Sequence, residues 1–283
     1  MHKFCLNLIS FDMNKRKRSN DANREKKVFF DTSRPSGRRG AGNEKIILYG
    51  LHAVKEALAN PKRKAFELKA TQNALRELDQ ETKHHWHNQL IISETTPNKL
   101  NQMFKPGTVH QGVALSVAPL PDSTLEEIIA TRSPIIVLDQ VTDPRNIGAI
   151  MRAAAVFGAG GIILTRHNAP LASGALAKTA SGALEHVPLV TVSNLARCLK
   201  QLDESGYTTL GLDEQGDELM ADTDKSTPIA LVMGAEGKGL RRLTKENCAR
   251  LVRLPNAVTQ DGAEFACLNV ATATAISLYE LAR

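Results

Sequence analysis

The feature that most limits how this chain can fold is a series of short apolar runs in its C-terminal half, unbroken at residues 135–138, 162–164 and 229–233 and carrying one polar residue each at 189–192, 209–212 and 251–254. A strand with one wet face alternates apolar and polar side chains, whereas a continuous apolar run must be buried on both faces. Helix-like patterns separate consecutive runs, and such helices can cover both faces of a sheet. The expectation is an α/β domain over residues 135–283, built on a mostly parallel sheet. No internal repeat is visible.

A smaller unit precedes it. Ile46-Ile47-Leu48 reads as a strand, and Leu51, Val54, Ala57 and Leu58 recur at helical spacing until Asn60-Pro61 stops the helix. Strand-like runs at 66–69, 90–93 and 112–117, with helical stretches at 74–81 and 98–104, complete a second α/β unit over residues 45–118. Pro119 and Pro121 mark a linker, residues 119–134, that carries a short helix at 125–130.

The net charge of +6 sits in one place: residues 1–45 hold 12 Lys or Arg against 5 Asp or Glu, and the remainder holds 24 against 25. The basic excess belongs to an N-terminal arm, residues 1–44, where Lys15-Arg16-Lys17-Arg18, Arg34, Arg38 and Arg39 lie among Ser, Asn, Pro and Gly. So little apolar surface cannot offset the entropy of ordering, and the arm is expected to be disordered. A phosphate-binding arm and a solubilising tail account for it equally well.

Cys5, Cys198, Cys248 and Cys267 are far apart and form no C-x-x-C pair, which excludes a disulfide framework or zinc ribbon and suits a reducing cytoplasm. No apolar run approaches the ~18–20 residues of a membrane helix. Residues 1–11 are broken by Cys5, Asn7 and Ser10 and lack a small-residue cleavage motif, so no secretory signal is expected.

Three stretches carry candidate chemistry. The first runs from Asp139 to Arg152: Asp143 suits an N-cap, Pro144 the first helical turn, and Gly158 a helix end. Ile147, Ile150, Met151 and Ala154 make one apolar stripe, and Asn146 and Arg152 fall off it. On spacing alone a solvated helix face explains the two polar residues; an RNA site is the alternative. The second is Leu231-Val232-Met233-Gly234-Ala235-Glu236-Gly237-Lys238-Gly239-Leu240, a buried strand, a glycine-rich loop and then a helix. It is no P-loop, because Lys238 is followed by Gly239, and its G-x-x-G-x-G spacing is not the dinucleotide fingerprint. Gly158-Ala159-Gly160-Gly161 also fails that test, since it follows a helix and precedes a strand. A ligand loop of another kind and a plain tight turn both remain open. The third runs from Leu254-Pro255-Asn256 to Cys267-Leu268-Asn269-Val270-Ala271 and opens an Ala-rich helix.

Taken together and in this order, the three stretches resemble the signature motifs of the SpoU family of RNA 2′-O-ribose methyltransferases, in the SPOUT superfamily. The resemblance covers residues 45–283. Leu48-Tyr49-Gly50-Leu51-His52-Ala53-Val54 and His110-Gln111-Gly112-Val113-Ala114-Leu115 are similar to that family's L30e-like substrate-binding domain. The overall pattern is nearest to enzymes that methylate a guanosine ribose of 23S ribosomal RNA. The resemblance implies a C-terminal parallel-sheet domain with a deep trefoil knot, a homodimer in the cytoplasm, and S-adenosylmethionine as cofactor, with no metal and no membrane. It places Gly234, Leu254 and Leu268 at the cofactor and Asn146, Arg152, Glu236 and Asn269 at the chemistry. In such a displacement alignment supplies much of the rate. Arg152 is the base that the resemblance implies, but a guanidinium with pKa above ~12 is better suited to gripping a phosphate and a forming alkoxide. Glu236 and Asn269 are then expected to orient Arg152 or the ribose.

Two departures stand out: Cys267 replaces the family's usual Ser, a better hydrogen-bond donor, and the loop at 259–264 is longer than the usual turn. Competing readings are transfer RNA as substrate, or an RNA-binding assembly factor that has lost catalysis. His84-His85-Trp86-His87 and the acidic stretch 213–224 read as solvated surface, and Cys198 and Cys248 as buried apolar residues in helices.

Overall fold

The computed structural model describes residues 45–82, 90–166, 174–255 and 268–283. The N-terminal arm, the histidine-rich segment, Cys267 and the loop at 259–264 lie outside the described residues.

The first unit is a four-stranded sheet. β1 (Ile46–Tyr49) and β2 (Ala65–Ala70) flank β4 (Val113–Val117) antiparallel, and β3 (Ile91–Glu94) adds parallel to β2 at the edge. Leu48, Leu68 and Leu115 point to one face, where α1 (Leu51–Ala59) and α2 (Gln72–Thr82) cover them. Asn60 ends α1 as expected. The helix expected at 98–104 is shorter: α3 spans Pro97–Asn101, and Phe104 lies beyond it, stacked at 5.9 Å on His110 and packed at 4.9 Å on Tyr49.

After α4 (Leu125–Ala130), started by a capping box between Thr124 and Glu127, the second unit forms a seven-stranded sheet in which every pairing is parallel. Its strands are β5 (Ile135–Asp139), β6 (Gly161–Thr165), β7 (Leu189–Val192), β8 (Thr208–Leu212), β9 (Glu218–Leu219), β10 (Ile229–Gly234) and β11 (Arg250–Arg253), in the order β7-β6-β5-β10-β8-β11-β9. Every residue of β5 and β6 is buried, as the unbroken apolar runs require. The chain moves outward from β5 through β6 to β7, then crosses to build the other half and inserts β10 beside β5. The carboxyl ends of β5 and β10 thus meet where the winding reverses, the usual place for a ligand crevice in an open α/β sheet.

Among the described residues five α-helices accompany this sheet: α5 (Pro144–Val156), α6 (Gly174–Thr179), α7 (Leu195–Glu204), α8 (Arg242–Glu246) and α9 (Val270–Ala282). α9 returns to pack along α5. α5 ends on Gly158 with φ +68°, and Ala159 N donates to the Ala154 carbonyl at 2.9 Å, a Schellman closure. Cys248 lies in the turn after α8 rather than in a helix, because Asn247 caps α8.

The two units are packed together. Arg63, fully buried, pairs with Glu185 at 2.6 Å and donates to the Ala118 carbonyl at 2.9 Å, while Asn60 donates to Glu185 at 2.8 Å. A side chain at Gly174 of α6 would come within 2.1 Å of the Ile47 carbonyl of β1, so only glycine permits this approach.

Candidate active site

The site is assembled from three chain segments at the carboxyl end of the second sheet. At the first, Asp143 accepts from Arg145 N at 2.9 Å and, with Pro144 in the first turn, starts α5. Ile147, Ile150, Met151 and Ala154 are buried, which turns Asn146 and Arg152 away from the core.

At the second, β10 ends on Gly234 and the chain doubles back, with Gly239 N donating to the Ala235 carbonyl at 2.8 Å. A side chain at Gly234 would lie 2.2 Å from the Gly239 carbonyl carbon, so the turn closes only on glycine. Gly237 and Gly239 take φ of +72° and +62°, which few other residues tolerate. The far end of the loop is pinned by Asp139 on the adjacent strand: its buried carboxylate accepts from Arg241 N at 3.1 Å and from Arg241 Nε at 2.7 Å.

At the third, Asn269 caps α9. Its Oδ1 accepts from Ala271 N at 2.9 Å, so its amide nitrogen faces the other way, donating to Asn146 Oδ1 at 3.1 Å and to Glu236 Oε1. Asn146 Nδ2 donates to the same Glu236 oxygen at 3.0 Å. Asn146, Glu236 and Asn269 therefore close a three-membered ring of hydrogen bonds. Glu236 Oε1 is saturated by two amides, and Oε2 has no bond among the described residues.

Of the two tasks expected of Glu236 and Asn269, orienting Arg152 or the ribose, the described geometry has no contact for the first. Arg152 lies six residues beyond Asn146 along α5, about 9 Å of helix rise, and is exposed with no bond to the ring among the described residues. The three residues expected at the cofactor share one end of the sheet: Gly234 closes β10, Leu254 follows β11 and packs on the core, and Leu268 adjoins Asn269, about half exposed. Burial pushes the thiols of Cys198 and Cys248 up to about 12, which removes both as nucleophiles. Among the described residues no cluster of three or more His, Cys, Asp or Glu could hold a metal, and no helix is long and apolar enough to cross a membrane.

Two family models match this chain. One, the SpoU rRNA Methylase family, covers residues 133–279, the sheet and all three segments of the site; the other, RNA 2′-O ribose methyltransferase substrate binding, covers 47–123. The chain belongs to the SpoU rRNA methylase family. Among curated SpoU relatives, the 23S rRNA (guanosine-2′-O-)-methyltransferase of Yersinia pestis is 36% identical over 250 residues, covering 84% of this chain and 96% of its own length. That of Pseudomonas putida is 40% identical over 181 residues, 62% of this chain and 71% of the relative. An uncharacterized tRNA/rRNA methyltransferase of Mycolicibacterium gilvum is 36% identical over 200 residues, 69% of this chain, and the match spans only 62% of that relative's length. The fold is shared with the SpoU methyltransferase AviRb of Streptomyces viridochromogenes in complex with AdoMet, at a TM-score of 0.69 and 23% identity, covering 84% of this chain and 89% of that one.

Sequence reasoning did not single out the Asp139–Arg241 pair that braces the SpoU loop, although both residues border its motifs. A carboxylate closing a run of buried aliphatics was the available signal, since such a group needs a partner. The Arg63–Glu185 pair left no signal, because its partners are 122 residues apart.

Proposed function

We propose that this chain transfers the methyl group of S-adenosylmethionine to the 2′-hydroxyl of a guanosine ribose in 23S ribosomal RNA. The observation that carries the reading is the ring of Asn146, Glu236 and Asn269, which gathers one polar residue from each SpoU motif onto one carboxylate. The Yersinia and Pseudomonas relatives, named for this reaction, support the choice of substrate over transfer RNA.

The residues present fit the cofactor. A side chain built at Gly237 or Gly239 would meet nothing within 4 Å, so the loop backbone can be approached closely, and the neighbouring Leu254 and Leu268 offer apolar surface to an adenine. When bound, S-adenosylmethionine supplies a methyl group activated by a sulfonium leaving group. The chain's own task is alignment. Glu236 Oε2, held in place by two amides on Oε1, accepts a hydrogen bond from the ribose hydroxyl, aims its oxygen and takes up its proton as the methyl group is transferred. Arg152, without a partner among the described residues, grips the target phosphate and stabilises charge growing on that oxygen.

The trefoil knot and the homodimer belong to the same proposal. The return of α9 from the β11 side of the sheet to α5 supports the knot. On these two helices Val156 is 78% exposed and Tyr279 53%, an apolar pair suited to a second copy. Arg152 is one turn from Val156, so the dimer would cover the approach to the site. A cytoplasmic location follows from the substrate.

Incubation with labelled S-adenosylmethionine and either 23S ribosomal RNA or bulk transfer RNA tests the reading. Label at a guanosine ribose of the ribosomal RNA is expected. Label confined to transfer RNA overturns the substrate, and absence of cofactor binding in calorimetry overturns the reaction in favour of an assembly factor.

A further inference from the structure

A cleft of about 400 Å³, lined by none of the ring residues, lies on the seam between the two units. Gly50, His52, Val109 and Gln111 line it from the first unit, and Lys178 and Ser181 from α6 and the turn after it. Among the described residues no carboxylate lines it.

Its polar groups are mostly donors, and the structure holds two of them in place. Lys178 Nζ donates to the Val109 carbonyl and stands 5.6 Å from the centre of the Tyr49 ring, so the ammonium is anchored across the seam with N–H bonds to spare. Gln111 Oε1 accepts from Leu51 N at 3.2 Å, which leaves the carboxamide N–H groups without a partner among the described residues. His52 and Ser181 are exposed and add an imidazole and a hydroxyl. The Val109 carbonyl is already taken by Lys178. A fixed positive charge beside uncommitted donors, with no lining carboxylate, selects an anion.

Its position favours a polymer over a free ion. Thr179, the residue after Lys178, donates to the Pro144 carbonyl at 3.2 Å and packs on Gly148, so α6 ties the cleft to the first turns of α5, where Asn146 sits. We propose that this seam is a phosphate site for the RNA backbone, gripping the substrate at a nucleotide away from the one that is methylated. The inference rests on the reading of RNA as substrate, and it adds a site built by both units, so their docking through Arg63 and Glu185 becomes a condition of RNA affinity.

The main contrast of the test inserts charge at a side chain with no hydrogen bond among the described residues. Ser181 has φ +47°, a region Asp and Asn enter more readily than other non-glycine residues, so Ser181→Asp and Ser181→Asn differ chiefly in charge. Binding of the full chain to a 23S ribosomal RNA transcript is measured over a range of salt, with calorimetry of S-adenosylmethionine in parallel. Ser181→Asp is expected to bind RNA about tenfold more weakly than Ser181→Asn, and Lys178→Gln to reduce the slope of log affinity against log salt by about 0.7–0.9, the loss of one phosphate contact. Should Ser181→Asp fold poorly, exposed His52→Glu against His52→Gln supplies the same contrast. Equal RNA affinity within the charged and neutral pair, or an unchanged salt slope, overturns the site, as does a wild-type chain without RNA affinity. Competition by millimolar inorganic phosphate as effective as that by RNA would also overturn it, assigning the cleft to a free anion. A wild type that binds RNA but not S-adenosylmethionine removes the methyl-transfer reading alone, and the Ser181 contrast still decides the seam.

Discussion

Asn146 and Asn269, 123 residues apart in the chain, hydrogen-bond to each other at 3.1 Å and donate to the same oxygen of Glu236. Each amide has one role fixed by its other bond. Asn269 must present its carbonyl to the start of α9, which turns its nitrogen to the carboxylate. The cap that starts a helix and the contact that positions Glu236 are therefore one side chain.

That double role can be separated. Asn269→Ala loses both functions: about 1 kcal/mol of stability from the missing cap and most of the methyl transfer. Asn269→Ser keeps a capping oxygen but has no amide to give Glu236. It should melt near the wild-type temperature and be as slow as Asn269→Ala in single-turnover assays. Wild-type turnover by Asn269→Ser would show that the ring is only structural.

Arg152 offers the converse case. With no partner among the described residues, its removal costs little stability. Arg152→Ala is expected to lower single-turnover methylation by about 100-fold or more, while affinity for S-adenosylmethionine in calorimetry stays near wild type. Normal single-turnover methylation would remove Arg152 from the chemistry.

Much of this architecture was readable from the sequence. Unbroken apolar runs such as 135–138 can only be strands covered on both faces, and the stripe of Ile147, Ile150, Met151 and Ala154 fixed which face of α5 is wet. Periodicity does not encode order, so the insertion of β10 between β5 and β8 was invisible, and with it the meeting of Asp139 and Gly234. The resemblance to SpoU enzymes named the four polar residues, but only the fold separates the ring from Arg152. The seam between the units was out of reach for a similar reason, because nothing in the sequence brings Lys178 to Gln111 until the two domains are docked.

The Asp139–Arg241 pair makes a prediction about the loop. Asp139 is fully buried and its two oxygens take the backbone and side-chain N–H groups of Arg241. Asp139→Ala leaves the Arg241 amide unsatisfied, while the half-exposed guanidinium can hydrate. The expected cost is therefore about 1–3 kcal/mol, rather than that of an isolated buried charge. Loss of the brace should also loosen the turn at 235–240, so affinity for S-adenosylmethionine falls by more than the stability change alone would cause. Unchanged calorimetric affinity in a folded variant would contradict the bracing role.

His110 provides a pH test of the first unit. Its Nδ1 accepts from Gly112 N at 3.0 Å and its Nε2 donates to Asn101 Oδ1 at 3.0 Å, a pattern that only the neutral ring can satisfy. Burial, and then the charge of Lys178, hold its pKa below the ordinary value. The unfolded chain therefore binds this proton more readily than the folded one, and stability from this group is complete above pH ~6.5 and is lost as pH falls below it. Urea denaturation at pH 7.5 and 5.5 should show a drop for the wild type that is smaller in His110→Gln, which cannot take up the proton. An equal drop in both chains would place the titration elsewhere.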